Sequence, residues 1–180
     1  HVQPLAFFSP EIPGSALKLS GVIPLTTAEP ALDLAFQLSG VHLNVLEGFW
    51  KVLQDSEGMV EGAGKLTGAL SDPSLEGELA LKRGRFRVAG MTQALSDVEV
   101  LLKGHSRGVR LERFDARMGK GLIVGSGEVS IGAGEVPRID ASMKFQDIRY
   151  SGVQDLSIEG EGNLRLTGNL MTPLASGDLT

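Results

Sequence analysis

The sequence predicts an all-β protein with one short helix, an elongated antiparallel sheet curled around an open apolar groove. Three observations predict it. Residues Leu66–Leu79 (LTGALSDPSLEGEL) recur as Leu166–Leu179 (LTGNLMTPLASGDL), 100 positions on, with Leu, Thr, Gly, Leu, Pro, Gly and Leu at matching places. Repetition at a fixed interval implies a stacked supersecondary unit, so function should belong to a continuous surface. Apolar residues also alternate with period 2 over most of the chain, the mark of strands with one apolar face. Finally, 24 glycines with only 5% aromatic residues suit many short strands and argue against a helical bundle.

In chain order, the alternation runs through Leu32, Leu34, Phe36 and Leu38, then Leu79 and Leu81, Phe86 and Val88, and Val98, Val100 and Leu102. It continues through Val129 and Ile131, Ile139, and Met143 and Phe145. These residues are the predicted lining of the groove. Breaks at Gly21–Pro24, Gly68–Pro73, Gly90, Gly104–Gly108, Gly119–Gly121, Gly132–Pro137 and Gly168–Pro173 divide the strands into a meander. Gly62, Gly64 and Gly68, with Gly125 and Gly127, fall on one face of their strands, which points to bulges or close backbone approach. Arg107–Lys120 fits both periods; the flanking glycines select a strand, bulged near Glu112.

One segment departs from the alternation. Leu43, Leu46, Phe49, Trp50 and Leu53 recur at helical spacing, with Asn44 and Glu47 placed as N-cap and N3 partner, which predicts a short amphipathic helix over Asn44–Asp55. Such a helix either caps one end of the sheet's core, or plugs or gates an apolar surface or lies on a membrane.

The repeat extends upstream, since Ser20–Pro30 and Leu32–Leu38 lie on Ser126–Pro137 and Ile139–Phe145 at an offset of 106 to 107. The copies occupy residues 15–81 and 121–180, joined by 82–120, and the second stops in mid-repeat. The 180 residues therefore read as a single fragment of a longer array.

With 42% hydrophobic residues the chain can bury a core, and with no cysteine it has neither disulfides nor a thiolate metal site. No apolar run is long enough to span a bilayer, so an anchor would lie outside these residues. The net charge of -5 is uneven: Lys82–Lys120 holds ten basic residues against Asp97, Glu99, Glu112 and Asp115, net +6, leaving -11 elsewhere. That band either greets phosphate groups or consists of outward strand positions paired with acidic neighbours. The acidic total and the lack of an aromatic stacking platform argue against nucleic acid.

No catalytic pattern appears, and no cofactor site is predicted. The segment Gly62–Gly68 (GAGKLTG) fails as a phosphate loop, with Met59 in place of the first glycine and Leu66 in place of the magnesium-binding hydroxyl. His1, His42 and His105 are scattered, and the acidic pairs Glu76/Glu78 and Asp97/Glu99 are solvated strand-face positions, not buried dyads.

The motif LTGxLxxPxxxGxL, the following strand Ala80–Phe86, the alternation Val98–Leu102 and the Gly-spaced strand Gly125–Ile131 together resemble the repeats of the TamB family, within the AsmA-like superfamily. That resemblance implies a non-enzymatic periplasmic segment of an inner-membrane-anchored protein, folded as the open groove called a β-taco. It further implies work in outer-membrane biogenesis with a barrel partner of the TamA type, and an architecture similar to bridge-like lipid-transfer proteins.

Physical reasoning reaches the same groove. One short helix cannot cover a long apolar sheet face, so the sheet must curl on itself. An open interior would hold phospholipid acyl chains. A dry one would make the chain a structural or adaptor solenoid for outer-membrane protein assembly.

Overall fold

A computed structural model of the chain describes residues 2–8, 16–22, 31–47, 52–69, 72–130, 136–151, 157–169 and 172–180. These residues form a single antiparallel sheet whose eleven strands stand in chain order: β1 (Val2–Phe8), β2 (Ala16–Val22), β3 (Ala31–His42), β4 (Leu53–Ala69), β5 (Asp72–Val88), β6 (Leu95–His105), β7 (Gly108–Met118), β8 (Gly121–Ser130), β9 (Arg138–Ser151), β10 (Ser157–Asn169) and β11 (Thr172–Leu179). The sheet is open, with β1 and β11 at its two edges. Many strand boundaries fall where glycine breaks the alternation, as at Gly90, Gly104–Gly108 and Gly119–Gly121. Strand β7 carries its register shift between Leu111 and Phe114, at the bulge expected near Glu112.

The predicted helix is corrected. Among the described residues only Leu43–Leu46 is helical, as one turn of 3-10 helix with His42 at its N-cap position. Glu47 serves not as a capping partner but as an acceptor, its Oε1 taking the backbone N–H of Ser56. From Leu53 the chain is already strand, pairing Leu53 with Val88 and Gln54 with Arg87. Backbone pairing along the whole length of β5 satisfies more groups than one further helical turn would, so the helical spacing of apolar residues is overridden. Phe49 and Trp50 lie outside the described residues.

Long strands in this sheet are bent by bulges that fall on one line. Gly40 sits in the β3 shift between Leu38 and Val41, and Asp55 and Gly58 in the β4 shifts around Glu57. Arg83 lies between Leu81 and Gly84, Asp97 between Ser96 and Glu99, and Asp147 where two β9 residues oppose one on β10. All six have positive φ, including the non-glycines Asp55 (53°), Arg83 (52°), Asp97 (50°) and Asp147 (50°). A bulge adds an unpaired residue, kinks its strand and increases local twist. Repeated on neighbouring strands, it creases the sheet.

The core sits in that crease. Gly84 pairs with Val98, Ala116 opposes the β6 bulge and pairs with Ile123, and Ile123 pairs with Phe145. Val98 is fully buried, Ala116 1% exposed and Ile123 4% exposed. Leu43, Leu95 and Met118 close over them from one side and Val60 and Leu81 from the other, in one cluster. Contact between the two sides shows that the sheet folds toward its apolar face. Cα atoms of β5 and β7, and of β7 and β9, also come within 8 Å. Alternate strands of a flat sheet stand about 9.6 Å apart.

Glycines let side chains lie flat on this face. A Cβ on Gly64 would stand 2.6 Å from Phe36 Cζ, one on Gly104 2.8 Å from Leu75 Cγ, and one on Gly127 2.6 Å from Ala141 Cβ. The one-face glycines of the sequence therefore mark close approach, while the bulges fall elsewhere. Because Val98 is enclosed by the crease, Val98→Ala should lower unfolding free energy by about 2 kcal/mol, measured by chemical denaturation. The exposed Ala63→Ser should stay within about 0.5 kcal/mol.

Candidate functional site

Register turns the period-2 pattern into continuous apolar rows across the sheet. One row runs Leu17, Leu38, Gly62, Leu79, Leu102, Leu111, Gly127, Ala141, Leu166 and Ala175, from β2 to β11, and the β1 position paired with Leu17 is Phe7. Two residues along, a parallel row runs Leu19, Phe36, Gly64, Gly77, Gly104, Val109, Val129, Ile139, Gly168 and Pro173. A third, beside the crease, holds Val41, Val60, Leu81, Val100, Phe114, Gly125, Met143, Leu164 and Gly177. No polar residue interrupts any of them. Antiparallel partners share a face, so this is one apolar surface. At about 4.8 Å per strand it extends for about 48 Å along the sheet.

The predicted lining divides between the crease and the open part of this face. Leu81 and Val98 are buried in the crease core, with Leu38, Leu79, Phe86, Val100 and Phe145 packed against them. Leu32 is buried, while Leu34, Phe36, Val88, Leu102, Val129, Ile139 and Met143 are half-buried. Ile131 lies outside the described residues. The alternation alone missed Leu43, Val60, Leu95, Ala116, Met118 and Ile123. A signal for one of them was present. Leu95 precedes Val98 by three residues, an odd interval that keeps both on one face only across a bulge.

The opposite face is polar and laced with cross-strand ion pairs. Between the first two apolar rows lie Lys18, Gln37, Ala63, Glu78, Lys103, Arg110, Glu128, Asp140 and Thr167. Arg110 donates from Nε and Nη2 to Glu128 Oε2 at 3.1 and 3.0 Å, and His105 Nε2 lies 3.3 Å from Glu128 Oε1. Arg165 forms a fork on Asp140, with Nε to Oδ1 at 3.2 Å and Nη2 to Oδ2 at 2.9 Å. That fork holds Asp140 below the ordinary carboxylate range, since the donated hydrogen bonds favour its charged form. It correspondingly raises Arg165. Arg113 is raised in the same way, first by its hydrogen bond to Asp115 and then by the charges of Asp115 and Glu99.

The basic band is thereby largely neutralised. Lys82 pairs with Glu61 at 2.7 Å, Arg85 with Glu57 at 3.6 Å, Arg87 with Asp55 at 2.6 Å and Arg117 with Asp97 at 3.8 Å. Several partners lie outside the band, on β4 and β8, so a window of the linear sequence overstates the local charge. Lys82 and Arg83 are consecutive yet both exposed, because the bulge at Arg83 turns two neighbours outward.

Surface depressions lie along the sheet. One of about 820 Å³ lies over Arg110, Glu128, Asp140 and Thr167, and one of about 840 Å³ over Lys18, Gln37, Ala63 and Glu76. Among the described residues no group of three or more His, Asp or Glu side chains is arranged to hold a metal ion. No helix among them is long and apolar enough to cross a membrane. The arrangement offers an amphipathic surface.

Residues 112–180, from within β7 to the end of the chain, match the family model described as the TamB C-terminal domain. No curated protein and no solved structure matches the chain.

Two measurements check the polar face. Reversing Arg85 and Arg87 to Glu should leave cooperative thermal unfolding intact, because both side chains are on the solvent side and each forms one exposed pair. In a carboxyl NMR titration, Asp140 should protonate below the usual value of about 3.9 and return toward it in Arg165→Gln. A depressed carboxylate stabilises the fold above its unfolded pKa, and that contribution is lost as pH falls through the folded value. Asp140→Asn should therefore flatten the loss of stability at acid pH.

Proposed function

We propose, from the match of residues 112–180 to the TamB C-terminal domain, that the chain is a TamB-family segment, part of a non-enzymatic periplasmic protein that carries phospholipid between inner and outer membranes along its apolar β-face. The family works in outer-membrane assembly and lipid transport. The single observation that carries the lipid reading is the continuity of the apolar rows, which cross strand after strand without a polar residue.

Acyl chains on such a face gain about 0.8 kcal/mol per buried methylene, while head groups stay in water at the open side. Each leaflet of a bilayer contributes half of a hydrocarbon core of about 30 Å, or about 15 Å of acyl chain. A face of about 48 Å is therefore long enough to hold more than one lipid in succession. Movement along it exchanges one set of equivalent apolar contacts for the next, with no bond made or broken. A barrel partner of the TamA type at the outer membrane and an inner-membrane anchor outside these residues complete this reading.

A second reading, in which the interior is dry and the chain is an adaptor for outer-membrane protein assembly, is favoured by the crease. There Val98 and its neighbours pack with no room for a ligand. Crosslinking separates the two. A photocrosslinker at Phe36, Val100 or Phe145 should capture phospholipid, and one at Asp33, Glu99 or Lys144 should not, because successive residues point to opposite faces. Capture on both faces alike, or none in a folded protein bound to membranes, would favour the adaptor. Val100→Arg places an unpaired charge on the apolar face, at a cost of several kcal/mol. The folded variant should lose copurifying lipid, measured by mass spectrometry of organic extracts.

A further inference from the structure

We propose that the 3-10 turn Leu43–Leu46 is a stopper, and that the crease beneath it is a slot for one phospholipid acyl chain, which enters where Leu43 leaves. The inference rests on the lipid reading above and adds a site to it. Its starting point is the crease itself, where two apolar walls meet. Val60 and Leu81 stand on one wall and Leu95 and Met118 on the other, around Val98, Ala116 and Ile123. Leu43, 5% exposed, belongs to the same cluster yet comes from no strand. It is carried in by the turn that follows β3 and packs on β4.

Two attachments tie the turn to the sheet. One is Leu43 in the core. The other is the carboxylate of Glu47, whose Oε1 accepts the backbone N–H of Ser56. That N–H lies outside the ladder, because Asp55 and Ser56 fall in the bulge between the Gln54–Arg87 and Glu57–Arg85 pairs. The turn itself is weak, since 3-10 hydrogen-bond geometry is poor. His42 provides no side-chain cap, and Glu47 N–H bonds back to Asn44 O at 3.1 Å. Asn44 and Val45 face solvent, with Val45 at 52%. An element with few buried contacts opens at low free energy, so the turn is the part of the crease most easily displaced.

Ser56 points to a ligand independently. It is 6% exposed, and its Oγ has no hydrogen-bond partner among the described residues. Buried hydroxyls in folded proteins nearly always have one. Ser56 stands beside the Glu47 carboxylate, at the end of the crease that Leu43 closes. An acyl chain lying in place of the Leu43 side chain would bring its ester carbonyl, an acceptor, to this hydroxyl. The head group would then remain in water beside Asn44 and Val45.

Titration of the 180-residue chain with cis-parinaric acid, a fluorescent fatty acid, tests the slot. Leu43→Ala should bind the probe about tenfold more tightly than the parent, because the open state no longer requires a leucine to be expelled. Leu43→Val serves in the same way should the larger truncation not fold. Glu47→Ala should also tighten binding, while Glu47→Gln, which keeps an acceptor oxygen, should match the parent. Leu32→Ala truncates a buried residue outside the crease cluster and should change nothing. Monomeric short-chain phosphatidylethanolamine should displace the probe, and Ser56→Ala should weaken that displacement by about threefold, as expected for one lost hydrogen bond. Equal binding by the parent, Leu43→Ala and Glu47→Ala would overturn the stopper and leave the apolar-face reading standing. Tightening by Leu32→Ala as well would also overturn it, since that marks general loosening. Displacement by free fatty acid and not by the phospholipid would overturn the choice of occupant. Absence of binding in every variant would overturn the lipid reading and the slot together.

Discussion

The line of bulges is the constraint on which the rest of this structure depends. Among the described residues an antiparallel sheet of eleven strands with one apolar face has no second layer to cover it, and the single turn of 3-10 helix is far too small to provide one. Bulges on several strands crease the sheet and bring its two parts together over Val98, Ala116 and Ile123. Placing Asp55, Arg83, Asp97 and Asp147 at positive φ costs on the order of 1 kcal/mol each. Burial of the crease residues offsets that cost, and three of the four are Asp, a residue that tolerates this region better than most. Strain and core are thus two sides of one arrangement.

The crease also divides the apolar face by role. Beside it, side chains pack from both directions and Val98, Ala116 and Ile123 are buried. Away from it, Phe36, Leu102, Val129 and Ile139 are half-buried, and Phe36 rests across Gly64. Stability and exposure of apolar surface, which compete in most folds, are here assigned to different stretches of the same strands. On the other face the ion pairs keep the sheet soluble on that side, though each exposed pair adds little to stability. Their broader effect is to fix which face is which, because a one-residue slip would bury Arg110 and Asp140 and expose Leu111 and Ile139.

Much of this was legible in the chain. Many strand boundaries followed from Gly and Pro, the bulge in β7 from the three-residue interval between Leu111 and Phe114, and the exposed pairing of Arg85 and Arg87 from alternation with Phe86 and Val88. The helix over Asn44–Asp55 was misread because apolar spacing describes a face and not the hydrogen bonds available to it. Leu53 and Gln54 found partners in Val88 and Arg87. Of the two readings of the Lys82–Lys120 band, outward positions paired with acidic neighbours is the one the ion pairs support, and the partners Glu57, Glu61 and Glu128 are distant in sequence but adjacent in the sheet.

By itself the sequence determined the fold class, the faces of the strands and the repeat, because these depend on side-chain period, turn residues and self-similarity, all of which are local. Only the tertiary structure decided the register that joins ten strands into unbroken apolar rows. Only it located the crease and selected Val98, Ala116 and Ile123 as the core. Those outcomes depend on which residues oppose one another across strands, and a single unpaired residue at Asp97 or Arg83 changes that for everything beyond it.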